Sequence, residues 1–204
     1  MRPFPPELLL ETYVGIDHFI PAPELDLWAR KTFLDDDSLL FNEDHIHLLK
    51  ANIGWLWTNV PNTKGGNIIA ATAEIPFFRG NAWQKGRQLM QMDEWFGGTP
   101  NFLIIVHAPL AQEADDIQFT ARIDHELYHC GQKKDEHGAP LFNALTELPS
   151  WTIKGHDVEE HTGIMRRYGP RGCAGDTINF IQYSQYEPEI EEVDILGACG
   201  NCLK

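Results

Sequence analysis

The sequence predicts an α+β fold, in which a short and mostly antiparallel sheet packs on helices. Three features carry that expectation. Several stretches repeat apolar residues at three- and four-residue spacing and end at glycine or proline, as helices do. Two short apolar segments have the length of strands and lie between turn residues. The 204 residues are 43% hydrophobic and 23% charged, globular values with enough chain to bury one core.

The elements follow in order. Prolines at positions 3, 5, 6, 21 and 23 and the acidic run Asp35-Asp36-Asp37 make residues 1–40 an expected N-terminal arm, with one short helix near Leu25 to Phe33. From His45 to Asn59, the spacing of Ile46, Leu49, Ile53 and Leu56 predicts a helix stopped by Pro61, with His45 and His47 on its exposed side. Gly65-Gly66 then turns the chain into an expected strand, Asn67 to Ile75, closed by Pro76. Trp83, Leu89, Met90 and Trp95-Phe96 mark a helix ending at Gly97-Gly98. The run Phe102-Leu103-Ile104-Ile105-Val106 reads as a strand covered on both faces, whereas the alanine-rich 67–75 segment suits a sheet edge. A further helix is expected from Asp115 to Cys130, with acidic residues at its start and Gly131 and Lys133-Lys134 at its end. The main domain is expected over residues 41–170, and residues 171–204 form a C-terminal extension.

Charge and composition narrow the function. A formal charge of −14 repels a phosphate backbone, so direct nucleic-acid binding is not expected. No apolar run reaches the roughly 18 residues of a membrane span, and the first residues lack a signal peptide's apolar region, so a cytoplasmic protein without membrane contact is expected. Cys130, Cys173, Cys199 and Cys202 are too few for a disulfide scaffold. The Cys199-Gly200-Asn201-Cys202 pair has the spacing of zinc knuckles and redox dithiols but no matching second pair, and reads as a tail pair, with a second metal or disulfide role as the alternative.

The helix near 115–130 carries the chemistry. In His125-Glu126-Leu127-Tyr128-His129, imidazoles at i and i+4 fall on one helix face and can reach one zinc ion. Glu126 sits beside the first ligand, placed to act on a metal-activated water as general base. This is the zincin arrangement for hydrolysing a peptide bond. Chance would supply such a motif about 0.03 times in a chain of this composition. Catalytic zinc takes a third protein ligand, and the downstream supply is His156-Asp157-Val158-Glu159-Glu160-His161, where His156, Glu159 and Glu160 are all candidates. His161 points away from His156 by about 140° of helix rotation. His107 ends the strand before this helix and could face the site, though a strand-end surface histidine is the favoured reading, and Tyr168 and Tyr183 are both candidates to stabilise an oxyanion.

Taken together, these motifs resemble those of the phage and prophage metallopeptidases. The likeness lies in Asn59-Val60-Pro61-Asn62, Gly80-Asn81-Ala82-Trp83, the block from Ile123 to Cys130, His156 to Glu160 followed by Arg166-Arg167-Tyr168-Gly169, and the tail Gly197 to Cys202. It runs from about Asp37 to the end and departs at His161, where phenylalanine is expected. The resemblance implies a zinc-dependent peptidase of minigluzincin or SprT-like architecture, encoded by a phage or prophage and working in a bacterial cell. It also favours His156, at the start of a second helix, over Glu159 or Glu160 as third ligand.

Two functional classes follow. One is a zinc metallopeptidase acting on protein or peptide, with a cleft rimmed by the 67–75 strand and a preference for basic substrates set by the charge. The other is an acidic, zinc-bound interaction or decoy protein without turnover. The intact Glu126 favours the first, because a purely structural site needs no carboxylate beside its ligand.

Overall fold

The computed structural model describes residues 1–10, 18–64, 66–158, 165–166, 177–193 and 199–200. The chain forms two units, one of Met1–Lys154 with Ile195–Lys204 and one of Gly155–Asp194. In chain order the first unit holds β1 (Phe19–Pro21), α1 (Pro23–Ala29), β2 (Ile53–Thr58), β3 (Thr63–Lys64), β4 (Asn67–Ile68), β5 (Ala71–Glu74), α2 (Ala82–Phe96), β6 (Phe102–His107), α3 (Ala108–Glu113), α4 (Asp116–His129), β7 (Cys130–Gln132) and β8 (Trp151–Ile153). The second unit contributes α5 (Thr177–Tyr183). The fold is α+β. Among the described residues no helix is long and apolar enough to cross a membrane.

The main sheet has the order β1-β2-β6-β5. Its β2–β6 pair is parallel, and β1–β2 and β5–β6 are antiparallel. Register sets the core. Ile53, Trp55 and Trp57 of β2 lie opposite Phe102, Ile104 and Val106 of β6, and Ala71 and Ala73 of β5 lie opposite Val106 and Ile104. These side chains therefore share one face. They form one apolar cluster with Leu25, Ala29 and Phe33 and with Phe119, Ile123 and Leu127 of α4. The two tryptophans keep their N–H groups satisfied, since Trp57 Nε1 donates to Glu24 at 2.7 Å and Trp55 Nε1 to Asp26 at 3.2 Å.

The helix expected from His45 to Asn59 is not formed. A 3₁₀ helix covers Glu43–Lys50, and Ile53–Thr58 is a strand buried at every position. With both faces covered, β2 shows no alternation, and its apolar residues happened to continue a helical spacing. The 67–75 segment is also split. Asn67–Ile68 pairs with β3, while Ala71–Glu74 joins the main sheet as its edge strand.

The stretch expected as an N-terminal arm contributes to the same core. Leu9, Leu25, Ala29 and Phe33 are buried there, and Phe19–Pro21 pairs with β2. Arg2 is 7% exposed and donates to Asp116 at 2.8 Å and to the carbonyls of Ala111 and Ala114 at 2.8 and 2.7 Å. It thereby satisfies carbonyls that the end of α3 leaves without helical partners.

α4 begins with a capping box, in which Asp115 accepts from Gln118 N at 2.7 Å and Gln118 returns a bond to Asp115 N. Asp115→Ala is expected to lower the unfolding free energy by about 1 kcal/mol while leaving metal content unchanged, as urea denaturation and metal analysis would read. The helix stops at His129, two residues before Gly131, because Cys130 already belongs to β7, paired with β8. In α2, Gly97 closes the helix at φ 68°, a left-handed conformation that glycine adopts without strain.

Candidate metal centre

α4 uses its faces differently. Phe119, Ile123 and Leu127, spaced four apart, enter the core, and Phe119 lies 6.3 Å from the Trp57 ring. A second side is tied to the 3₁₀ helix. There His45 meets Asp124 at 2.7 Å, Asn42 donates to Asp124 and Tyr128, and Tyr128 donates to Asp44. His45 is 1% exposed, contrary to the exposed position expected for it, and His47 is partly buried with Nε2 donating to Cys130 O at 2.7 Å. A 3₁₀ turn of three residues puts His45 and Leu48 on the same inward face.

His125 and His129 lie on a third side, one turn apart. Lys154 reaches back to this end of α4 from β8, because Lys154 N donates to His129 O at 2.8 Å and Lys154 O faces His129 Nδ1 at 2.7 Å. A carbonyl can only accept, so Nδ1 carries the proton and Nε2 keeps its lone pair. That Nε2 is 3.2 Å from His125 Nε2. Two zinc–nitrogen bonds of about 2.0–2.1 Å at a tetrahedral angle would separate their nitrogens by about 3.3 Å. The pair therefore fits one metal ion.

Glu126 is buried at 1% exposure on the adjoining side of the helix. Burial pushes its carboxyl up to about 7, against hydrogen bonds from Cys199 and the Ala73 backbone that favour the carboxylate. Its Oε2 is buried without a hydrogen-bond partner among the described residues. A cation at the histidines would also favour the ionised form. The Ala73 bond places β5, the sheet edge, beside the carboxylate.

The sequence reading missed Cys199. Its Sγ lies 3.3 Å from His129 Nε2, and donor atoms of His125, Glu126 and Cys199 all fall within 4.8 Å of one another. The C-terminal pair was the available signal, but nothing in the spacing points to a helix seventy residues away. Cys130, in contrast, is fully buried, with burial pushing its thiol far up and Sγ facing Glu126 O. It is an inert core residue.

The remaining candidates stand as follows. His156 is exposed near the start of the second unit. Glu159, Glu160, His161, Tyr168, Cys173 and Cys202 lie outside the described residues. Tyr183 is 73% exposed on α5. His107 is 7% exposed rather than a surface residue, because Thr58, Ile69 and Thr72 line the same cavity around the end of β6. Burial there lowers its pKa, and Nδ1 has no hydrogen-bond partner among the described residues.

A small α+β domain that presents two imidazoles and a buried carboxylate from one helix has the form of a metal-dependent hydrolase. The chain belongs to the family described as "Putative phage metallopeptidase", whose model matches residues 26–183. That membership implies a metal ion and protein or peptide substrates. No curated protein and no solved structure matches the chain.

Proposed function

We propose that this protein is a zinc metallopeptidase in which His125, His129 and His156 hold the ion and Glu126 is the general base. The observation that carries the reading is the 3.2 Å approach of the two Nε2 atoms beside a buried carboxylate. His156 is favoured as third ligand over Glu159 and Glu160 because it follows Lys154 by two residues, and Lys154 is fixed to His129 by two hydrogen bonds. A bound zinc ion supplies Lewis acidity toward a carbonyl oxygen and makes water more acidic.

Glu126 takes the proton that water gives up and delivers it to the leaving amine. Its position next to β5 suits an extended peptide that adds to the sheet edge through main-chain bonds. The charge of −14 favours encounter with basic peptides, more at low salt than at high salt. The setting is the cytoplasm of a bacterium carrying the phage or prophage.

Metal content tests the ligand assignment. Purified protein should carry one equivalent of zinc, and a His125→Ala, His129→Ala double variant should carry almost none. Full occupancy in the folded double variant would overturn the assignment.

A further inference from the structure

Cys199 and Gly200 meet β3 and β5 of the same unit, beside the histidine pair. Cys199 makes a parallel bridge with Ala71 of β5, and Gly200 N donates to Ala71 O at 2.9 Å. Lys64 Nζ donates to Gly200 O at 2.8 Å. A side chain at Gly200 would collide with Thr72, whose Cβ and Oγ1 would lie 2.8 Å from the added carbon. Glycine is therefore what lets the segment lie flush on the edge strand.

The same placement seats the Cys199 thiol, 5% exposed, over the histidine pair and the buried Glu126 carboxylate. The sulfur-to-nitrogen distance of 3.3 Å is close to the about 3.5 Å that zinc–sulfur and zinc–nitrogen bonds of about 2.3 and 2.0–2.1 Å give at a tetrahedral angle. The buried Glu126 Oε2, without a hydrogen-bond partner among the described residues, is an independent mark of a site that a cation would complete.

We propose that Cys199 is a further protein ligand to the metal, and that Cys199 and Gly200, paired on β5, act as an internal strap. On binding, the thiol loses its proton to solvent and ligates as a thiolate. The strap then takes up both the ligand position needed by water and the edge of β5 needed by an extended peptide. This inference rests on the metal site proposed above. Hydrolysis requires Cys199 and Gly200 to leave β5, and a competing peptide strand there is what displaces them.

Cobalt(II) loading of the full-length protein tests this by spectrum. One equivalent of cobalt should give a near-ultraviolet thiolate-to-cobalt charge-transfer band. Cys199→Ser should abolish the band while cobalt stays bound at the histidines. Gly200→Val leaves the thiol in place and should weaken the band by preventing the strap from docking. A strap closed nine times in ten would also depress peptide hydrolysis about tenfold, so both variants should run about tenfold faster than the native chain.

A native protein that binds cobalt without the band, or a band unchanged in folded Cys199→Ser, overturns the thiolate assignment and leaves the histidine site standing. Cobalt binding that survives the double histidine variant overturns both.

Discussion

Replacing Glu126 with glutamine is expected to leave bound metal unchanged and to slow peptide hydrolysis by about 10²–10⁴-fold. Glutamine keeps the shape of the side chain and an oxygen able to accept the Ala73 backbone bond, so α4 and β5 should stay in place. What it lacks is a group that can accept a proton from water. The measurement compares turnover with metal content in the same preparation, in the native chain and in the Cys199→Ser background, where the strap no longer limits the rate. Hydrolysis retained in folded Glu126→Gln would remove Glu126 from its role. Native and Cys199→Ser proteins that bind zinc and cleave no peptide in a broad library would instead favour an interaction protein.

The largest stability loss is expected from Trp57→Ala. Trp57 is 0% exposed in β2 and packs under α4 against Phe119. Truncation removes most of a buried indole and leaves a cavity beneath the helix that bears the histidines. The cost is about 3–5 kcal/mol, which lowers Tm by roughly 6–20 °C in a chain of this length. Its carboxylate partner Glu24 is exposed and remains hydrated, so the loss comes from packing rather than from a stranded charge. Trp83→Ala, at a site 87% exposed on α2, should change stability by no more than about 0.5 kcal/mol. Equal losses in the two variants would show that Trp57 does not anchor the core.

These packing relations explain which parts of the molecule could be read from its residues. α4 was legible because the local signals agree: a capped start, apolar residues at four-residue spacing, and two histidines on one side. β6 was legible by length and punctuation. β2 was not, since a strand covered on both faces loses the alternation that separates strand from helix. His45 and His107 were misplaced for a related reason: their burial is decided by neighbours from Asp124 and Tyr128 in one case and from the ends of β2 and β5 in the other. Cys199 depends on strand pairing across most of the chain, and local sequence does not encode such a contact.

Chain order turns the tail contact into a matter of timing. His125, Glu126 and His129 are synthesised about seventy residues before Cys199, an interval of about 4–14 s at ordinary rates of translation. Throughout that interval Gly200 is not yet there to donate to the Ala71 carbonyl on the edge strand β5. The nascent chain therefore carries the helix with the histidine pair before it carries Cys199. Early metal capture and edge-to-edge adhesion between neighbouring nascent chains would both fall in this window.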